Sequence, residues 1–166
     1  MTAVEWRKGE IMATQWTAGT TSGQVLTAAT LNTIGAAWET YTPALTASTT
    51  NPTLGTGSSV SGRYGQVNKI VCGQGQISFG TSGVAAGNGF YFVSLPITAQ
   101  SSGKVIGQFQ FYDSSSGAVY LGTVISDTTT RGIMYYGAPS TVVTNAAPFV
   151  WAANDFIRYT FQYEAA

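Results

Sequence analysis

The chain has no histidine, a single cysteine (Cys72) and few charges of either sign, with seven Lys+Arg against seven Asp+Glu in 166 residues. Each scarcity removes a class of chemistry. Without histidine there is no Ser–His–Asp or Cys–His catalysis, no imidazole metal ligand and no histidine pH switch. One cysteine excludes a disulfide within the chain and any cysteine-built zinc site. Zero net charge lacks the basic footprint of a nucleic-acid binder. No run of about 18 apolar residues occurs, so no membrane-inserted helix is expected. Met1 to Glu10 has no apolar segment of signal-peptide type. Phosphate motifs fail too: Gly103-Lys104 lacks the upstream glycine and the Ser/Thr of a P-loop. Gly55-Thr-Gly57 and Gly73-Gln-Gly75 lack a third glycine at the right place.

What is present points to a folded domain. Apolar residues make up 44% and aromatic residues 13%, which is not the composition of a disordered chain. Charged residues are only 8%, against a usual share of roughly 25%. Ser, Thr, Gln and Asn must therefore keep the surface wet. A neutral, aromatic-rich surface tends to self-associate. The expectation is a surface covered by sister subunits or a larger assembly, the alternative being a monomeric, Ser/Thr-surfaced secreted β-domain.

Three zones are legible. Residues 1–26 read as an extended N-terminal arm with little periodicity, holding Trp6 and Trp16 and the clustered charges Glu5, Arg7, Lys8 and Glu10. Residues 27–38 are the one helical candidate: Thr27 can cap, and Leu31, Ile34 and Trp38 fall at i, i+3 and i+7. That face either covers the chain's own domain or packs with its copies around an axis. Trp6, Trp16, Leu31, Ile34 and Trp38 are the candidate assembly contacts, since each tryptophan can bury about 150–250 Å².

Residues 39–166 read as all-β. Val60 to Tyr64 and Ile70 to Phe79 flank a turn region at Gly65 to Lys69. Val71, Gly73, Gly75, Ile77 and Phe79 share one face of the second strand. Two glycines within a strand predict a close backbone approach or a bulge. Lys104 to Tyr112 places Val105, Phe109 and Phe111 on one face and Gln108 and Gln110 on the other. A turn at Asp113 to Gly117 leads to Ala118 to Ile125, and Arg131 to Tyr136 is a further strand. Phe156 to Glu164 alternates most clearly, with Ile157, Tyr159, Phe161 and Tyr163 inward. Seven or eight short strands with turn signals between them predict a β-sandwich or jelly-roll-like domain.

The chemistry within that domain is sparse. Asp113, Asp127 and Asp155 all sit at turn positions, where aspartate bonds the local backbone; a paired-carboxylate glycosidase is disfavoured. No catalytic residue, cofactor or metal site is expected. Cys72 is expected to be a small buried or interface thiol. Tyr135, Tyr136, Phe149 and Trp151 are the candidate exposed aromatics, suited to a protein interface or core packing first, and to stacking on sugar rings second.

Several landmarks follow one another in a recognisable order: Gly23-Gln-Val-Leu-Thr-Ala-Ala-Thr-Leu-Asn32, Gly35-Ala-Ala-Trp38, Tyr41-Thr-Pro43, Asn51-Pro-Thr-Leu-Gly-Thr-Gly57, Gly62-Arg-Tyr64, Ser94-Leu-Pro-Ile97, and Trp151 to Tyr163. Over roughly residues 13–166 the chain resembles small tail and tail-fibre (minor tail) proteins of double-stranded DNA bacteriophages, especially those infecting actinobacteria. The resemblance implies a non-enzymatic virion component, usually a homotrimer, with an N-terminal attachment part that meets other virion proteins and a β-rich distal part. It implies a host cell-wall glycan as a candidate partner and carries over no catalytic residue. A head decoration or capsid fibre protein is the alternative within structural proteins, and a carbohydrate-binding module is the alternative outside them.

Overall fold

The computed structural model describes residues 37–137 and 140–166. These are all-β, and no helix occurs among them. The strands are β1 (Glu39–Tyr41), β2 (Leu45–Ala47), β3 (Ser59–Val67), β4 (Ile70–Ser78), β5 (Tyr91–Ser94), β6 (Val105–Asp113), β7 (Ala118–Thr128), β8 (Arg131–Tyr136), β9 (Thr141–Val142) and β10 (Phe156–Glu164). They form one antiparallel sheet in the order β1-β3-β4-β10-β6-β7-β8-β5-β2, with β9 beside β8. β1 and β2 stand at opposite ends of that path although only Thr42-Pro43-Ala44 separates them. Four backbone steps reach at most about 14 Å, so the sheet curls and brings its two ends within that distance of each other. Just before β2, Ala44 continues the β2–β5 pairing: its carbonyl accepts from the Ser94 amide at 3.0 Å and its N–H donates to Ser94 Oγ at 2.9 Å.

β10 lies at the middle of the order because its pattern suits the most enclosed place. Ile157, Tyr159, Phe161 and Tyr163 are buried, while Arg158, Thr160, Gln162 and Glu164 face out. It pairs with β4 along its whole length and with β6 from Phe156 to Phe161. On β4 the buried face is Val71, Gly73, Gly75 and Ile77. The two glycines are a close approach: a Cβ on Gly73 would stand 2.4 Å from Cζ of Phe161, and one on Gly75 2.5 Å from Cζ of Tyr159. The rings of β10 thus lie on the bare backbone of β4. The phenol oxygens of Tyr41 and Tyr159 are hydrogen-bonded at 3.0 Å, and Tyr163 donates to the Ile97 carbonyl at 2.7 Å. Burial without loss of a partner is what a core tyrosine requires.

Several expectations change. β6 carries a bulge between Val105 and Gly107, which reverses the side-chain phase there. Ile106 therefore enters the core, and Val105, expected inward, is 69% exposed. β3 runs on to Val67, so the turn shrinks to Asn68-Lys69, with Asn68 at φ 54°. Cys72 is exposed, not buried, because it alternates out of phase with Val71 and Gly73. The strands β1, β2 and β9 are too short to be read from pattern alone. The Ser/Thr/Gly loops at 48–58 and 80–89 hold each other through bridges Thr50↔Asn88, Thr53↔Ala85 and Thr56↔Ser82. The arm at 1–26, with Trp6 and Trp16, and all of the helical candidate except its last two residues, with Leu31 and Ile34, lie outside the described residues. Of that candidate, Ala37 and Trp38 are described, and both are irregular and exposed.

Candidate functional site

The outward residues of the central strands align in two rows across the sheet. Register pairs place Ser61, Gln76, Arg158, Gln110 and Leu121 in one row, and Arg63, Gln74, Thr160, Gln108 and Thr123 in the other. The first row, with Arg63, Gln74, Thr160 and Gln108 of the second, floors an open groove of about 470 Å³ that crosses β3, β4, β10, β6 and β7. Five strands at about 4.8 Å make a floor about 19 Å wide. Four of the side chains on it are glutamines, each offering two amide donors and an acceptor carbonyl.

The central guanidinium is held in place. Arg158 Nε donates to Gln76 Oε1 at 3.0 Å, and Gln76 Nε2 donates to Ser78 Oγ at 3.0 Å. The Arg158 guanidinium also lies 4.3 Å from the ring centre of Phe156, which stacks on Tyr112 at 4.9 Å. Tyr112 and Phe156 form a half-buried aromatic shelf along one side of the rows. At the β3 end, the Arg63 guanidinium stands 5.6 Å from the ring centre of Trp38, which is 51% exposed. Among the described residues no carboxylate lines the groove. Among the described residues, the ion pair Asp127–Arg131 at 2.6 Å involves neither of its arginines.

The aspartates act on the backbone. Asp155 is fully buried: Oδ1 accepts from the Ser114 amide at 2.9 Å and Oδ2 from the Ala152 amide at 2.7 Å. It ties the β6–β7 turn to the entry of β10. Asp113 accepts from the Ser115 and Ser116 hydroxyls at 2.6 Å each. Those hydroxyl bonds, helped by the neighbouring amides, hold its carboxyl below the ordinary range. Among the described residues no three of His, Cys, Asp and Glu gather as metal ligands.

The four aromatics singled out from the sequence do not share a surface. Trp151 is 3% exposed, a correction to its expected exposure. Its indole N–H donates to the Thr144 carbonyl at 3.1 Å, which leaves the ring free to pack on Phe79, Tyr91 and Phe111. Phe149 is half-buried between Trp151 and Tyr120, with ring centres 4.6 and 5.4 Å away. Tyr136 packs against the core, while Tyr135 alternates to the outer face beside Thr123. Instead, outward polar residues on β3, β4, β6 and β10 meet. The signal for them was a repeated short pattern, Gln74-Gly-Gln76, Gln108-Phe-Gln110 and Arg158-Tyr-Thr160, each with polar residues on one side of a strand. No protein-family model, no curated protein and no solved structure matches this chain.

Proposed function

We propose that this chain is a non-enzymatic structural protein of a bacteriophage virion. In this reading it is a homotrimeric tail-tip, baseplate or fibre-knob component. It docks on other virion proteins through residues 1–26, and its β-sandwich or jelly-roll-like domain faces the host. The observation that carries the reading is the apolar stripe on the outer face of β7. Val119 is 51% and Leu121 66% exposed, two residues apart on one strand face. On a domain with so little charge, such a stripe favours burial against a sister subunit. A head decoration or capsid fibre protein would use the same stripe at another place on the particle.

The groove favours a second reading, a carbohydrate-binding module that works as a monomer. Light scattering of the purified full chain separates the two. The virion reading expects three times 17.4 kDa at micromolar protein, and removal of residues 1–26 that leaves a cooperative melt but blocks entry into particles. A monomer at that concentration rejects the trimer, and a truncated chain that still joins particles rejects the arm as the anchor.

A further inference from the structure

We propose that the part of the groove over β3, β4, β10 and β6 binds an acidic polysaccharide, leaving the β7 stripe to the subunit contact. The floor is a grid of fixed positions, about 4.8 Å apart across strands and nearly 7 Å apart along them. Gln74, Gln108 and Gln110 present amides that both donate to and accept from hydroxyl groups. That dual capacity suits a polyhydroxylated ligand, in which every hydroxyl is itself donor and acceptor. No side-chain hydrogen bond joins Gln74, Gln108 or Gln110 to another described residue. Their polar groups stand open to the groove. A linear hexose chain advances by a distance close to one strand spacing per sugar, so the floor accommodates several rings in a line across the strands.

The charge pattern selects among glycans. Arg63 and Arg158 line the groove and no acid among the described residues does, in a chain with seven cations in all. Arg158 uses Nε on Gln76 and its π face on Phe156. Its two terminal nitrogens remain for an anion, and a guanidinium offers carboxylate or phosphate a forked pair of donors. From the register, the Cα atoms of Arg63 and Arg158 lie two strands and two residues apart diagonally, about 12 Å. That interval fits a polymer whose acidic group recurs along its length. The Tyr112–Phe156 shelf beside Arg158 adds an apolar face for a sugar ring. Carboxylate and phosphodiester polymers share this chemistry.

The site does not rest on the virion reading, because binding is scored on the purified chain without reference to particles. The test is calorimetric titration of the full chain with polygalacturonate, with a phosphomannan whose hexoses are joined by phosphodiesters, and with dextran. Binding to at least one acidic polymer is expected, weakening with added salt because exposed charges are screened beyond about 10 Å at 0.1 M. Which of the two binds identifies the acid. Arg158→Gln should weaken it roughly tenfold or more, as loss of a charge-assisted contact implies. The pair Gln74→Ala and Gln110→Ala, at outward positions that leave the core untouched, should weaken it independently. No binding to either acidic polymer overturns the proposal, as does dextran bound as tightly as the acids, or affinity unchanged in both sets of variants. Loss of binding that coincides with dissociation of the oligomer assigns the groove to a subunit contact and overturns it as well.

Discussion

Gly73→Ala tests the packing of β10 on β4. The added Cβ would stand 2.4 and 2.7 Å from Cζ and Cε2 of Phe161 and 2.6 Å from the Arg63 carbonyl oxygen, where carbon contacts prefer about 3.5–4.0 Å. The ring would have to retreat by about 1 Å. It has little room: Phe161 is buried and touches Tyr41, Tyr159 and Tyr163 at centroid distances of 5.9, 6.2 and 5.8 Å. The carbonyl belongs to the β3–β4 ladder and moves only with the strand. Overpacking of this kind costs about 1–3 kcal/mol, while replacing glycine inside a strand returns roughly 0.5–1 kcal/mol. With both a ring and a backbone atom in the way, the net loss should be about 2 kcal/mol, or roughly 4–8 °C in Tm for a chain of this size. Urea denaturation should show a lower midpoint at unchanged slope. Combined with Phe161→Leu, the loss should be smaller than the sum of the two single losses, since both act on one contact. A neutral or stabilising Gly73→Ala, or strict additivity in the pair, would refute the close-approach account.

Two further outcomes follow from buried polar groups. Asp155→Ala orphans the Ser114 and Ala152 amides and should cost roughly 2–4 kcal/mol; an unmoved urea midpoint would show that the clamp is idle. Burial pushes Tyr41 and Tyr163 up to about 12, and Tyr91 and Tyr159 higher still. Folded values above the unfolded 10.0 mean that this stabilisation is complete below pH 10.0 and lost as pH climbs toward 12. Tyrosinate absorbance from these rings should therefore rise together with the loss of native circular dichroism, and ionisation well ahead of unfolding would contradict their burial.

Much of the sheet was legible because its information is local. Phe156 to Glu164 alternates without interruption, and the strand has those bounds. Gly73 and Gly75 announced a close approach within one strand, although nothing local named Phe161 and Tyr159 as the rings involved. Val105 was misplaced because a bulge adds a residue, and alternation counted from Phe109 cannot sense it. Trp151 was misjudged because proline and loop composition around it suggest exposure, while its burial depends on the distant partners Phe79, Tyr91 and Phe111. The groove was hidden for the same reason. Gln76 and Arg158 lie 82 residues apart, and only the placement of β10 between β4 and β6 sets Gln-x-Gln, Arg-x-Thr and Gln-x-Gln side by side.

That placement of β10 also governs the order of events during synthesis. The strands before it form two ribbons, β1-β3-β4 and β6-β7-β8-β5-β2, joined by the connections β1–β2, β2–β3 and β4–β5. Until β10 leaves the ribosome, β4 and β6 are both open edges, able to recruit a strand from any neighbouring chain. Insertion of β10 closes both at once, and every pairing it makes is remote in sequence from at least one partner. Such topologies fold slowly, since loop closure must precede the contacts that reward it. The nascent chain is thus most prone to cross-strand association in the interval before its tenth strand arrives, and two outward charges, Arg158 and Glu164, reach the sheet only with that strand.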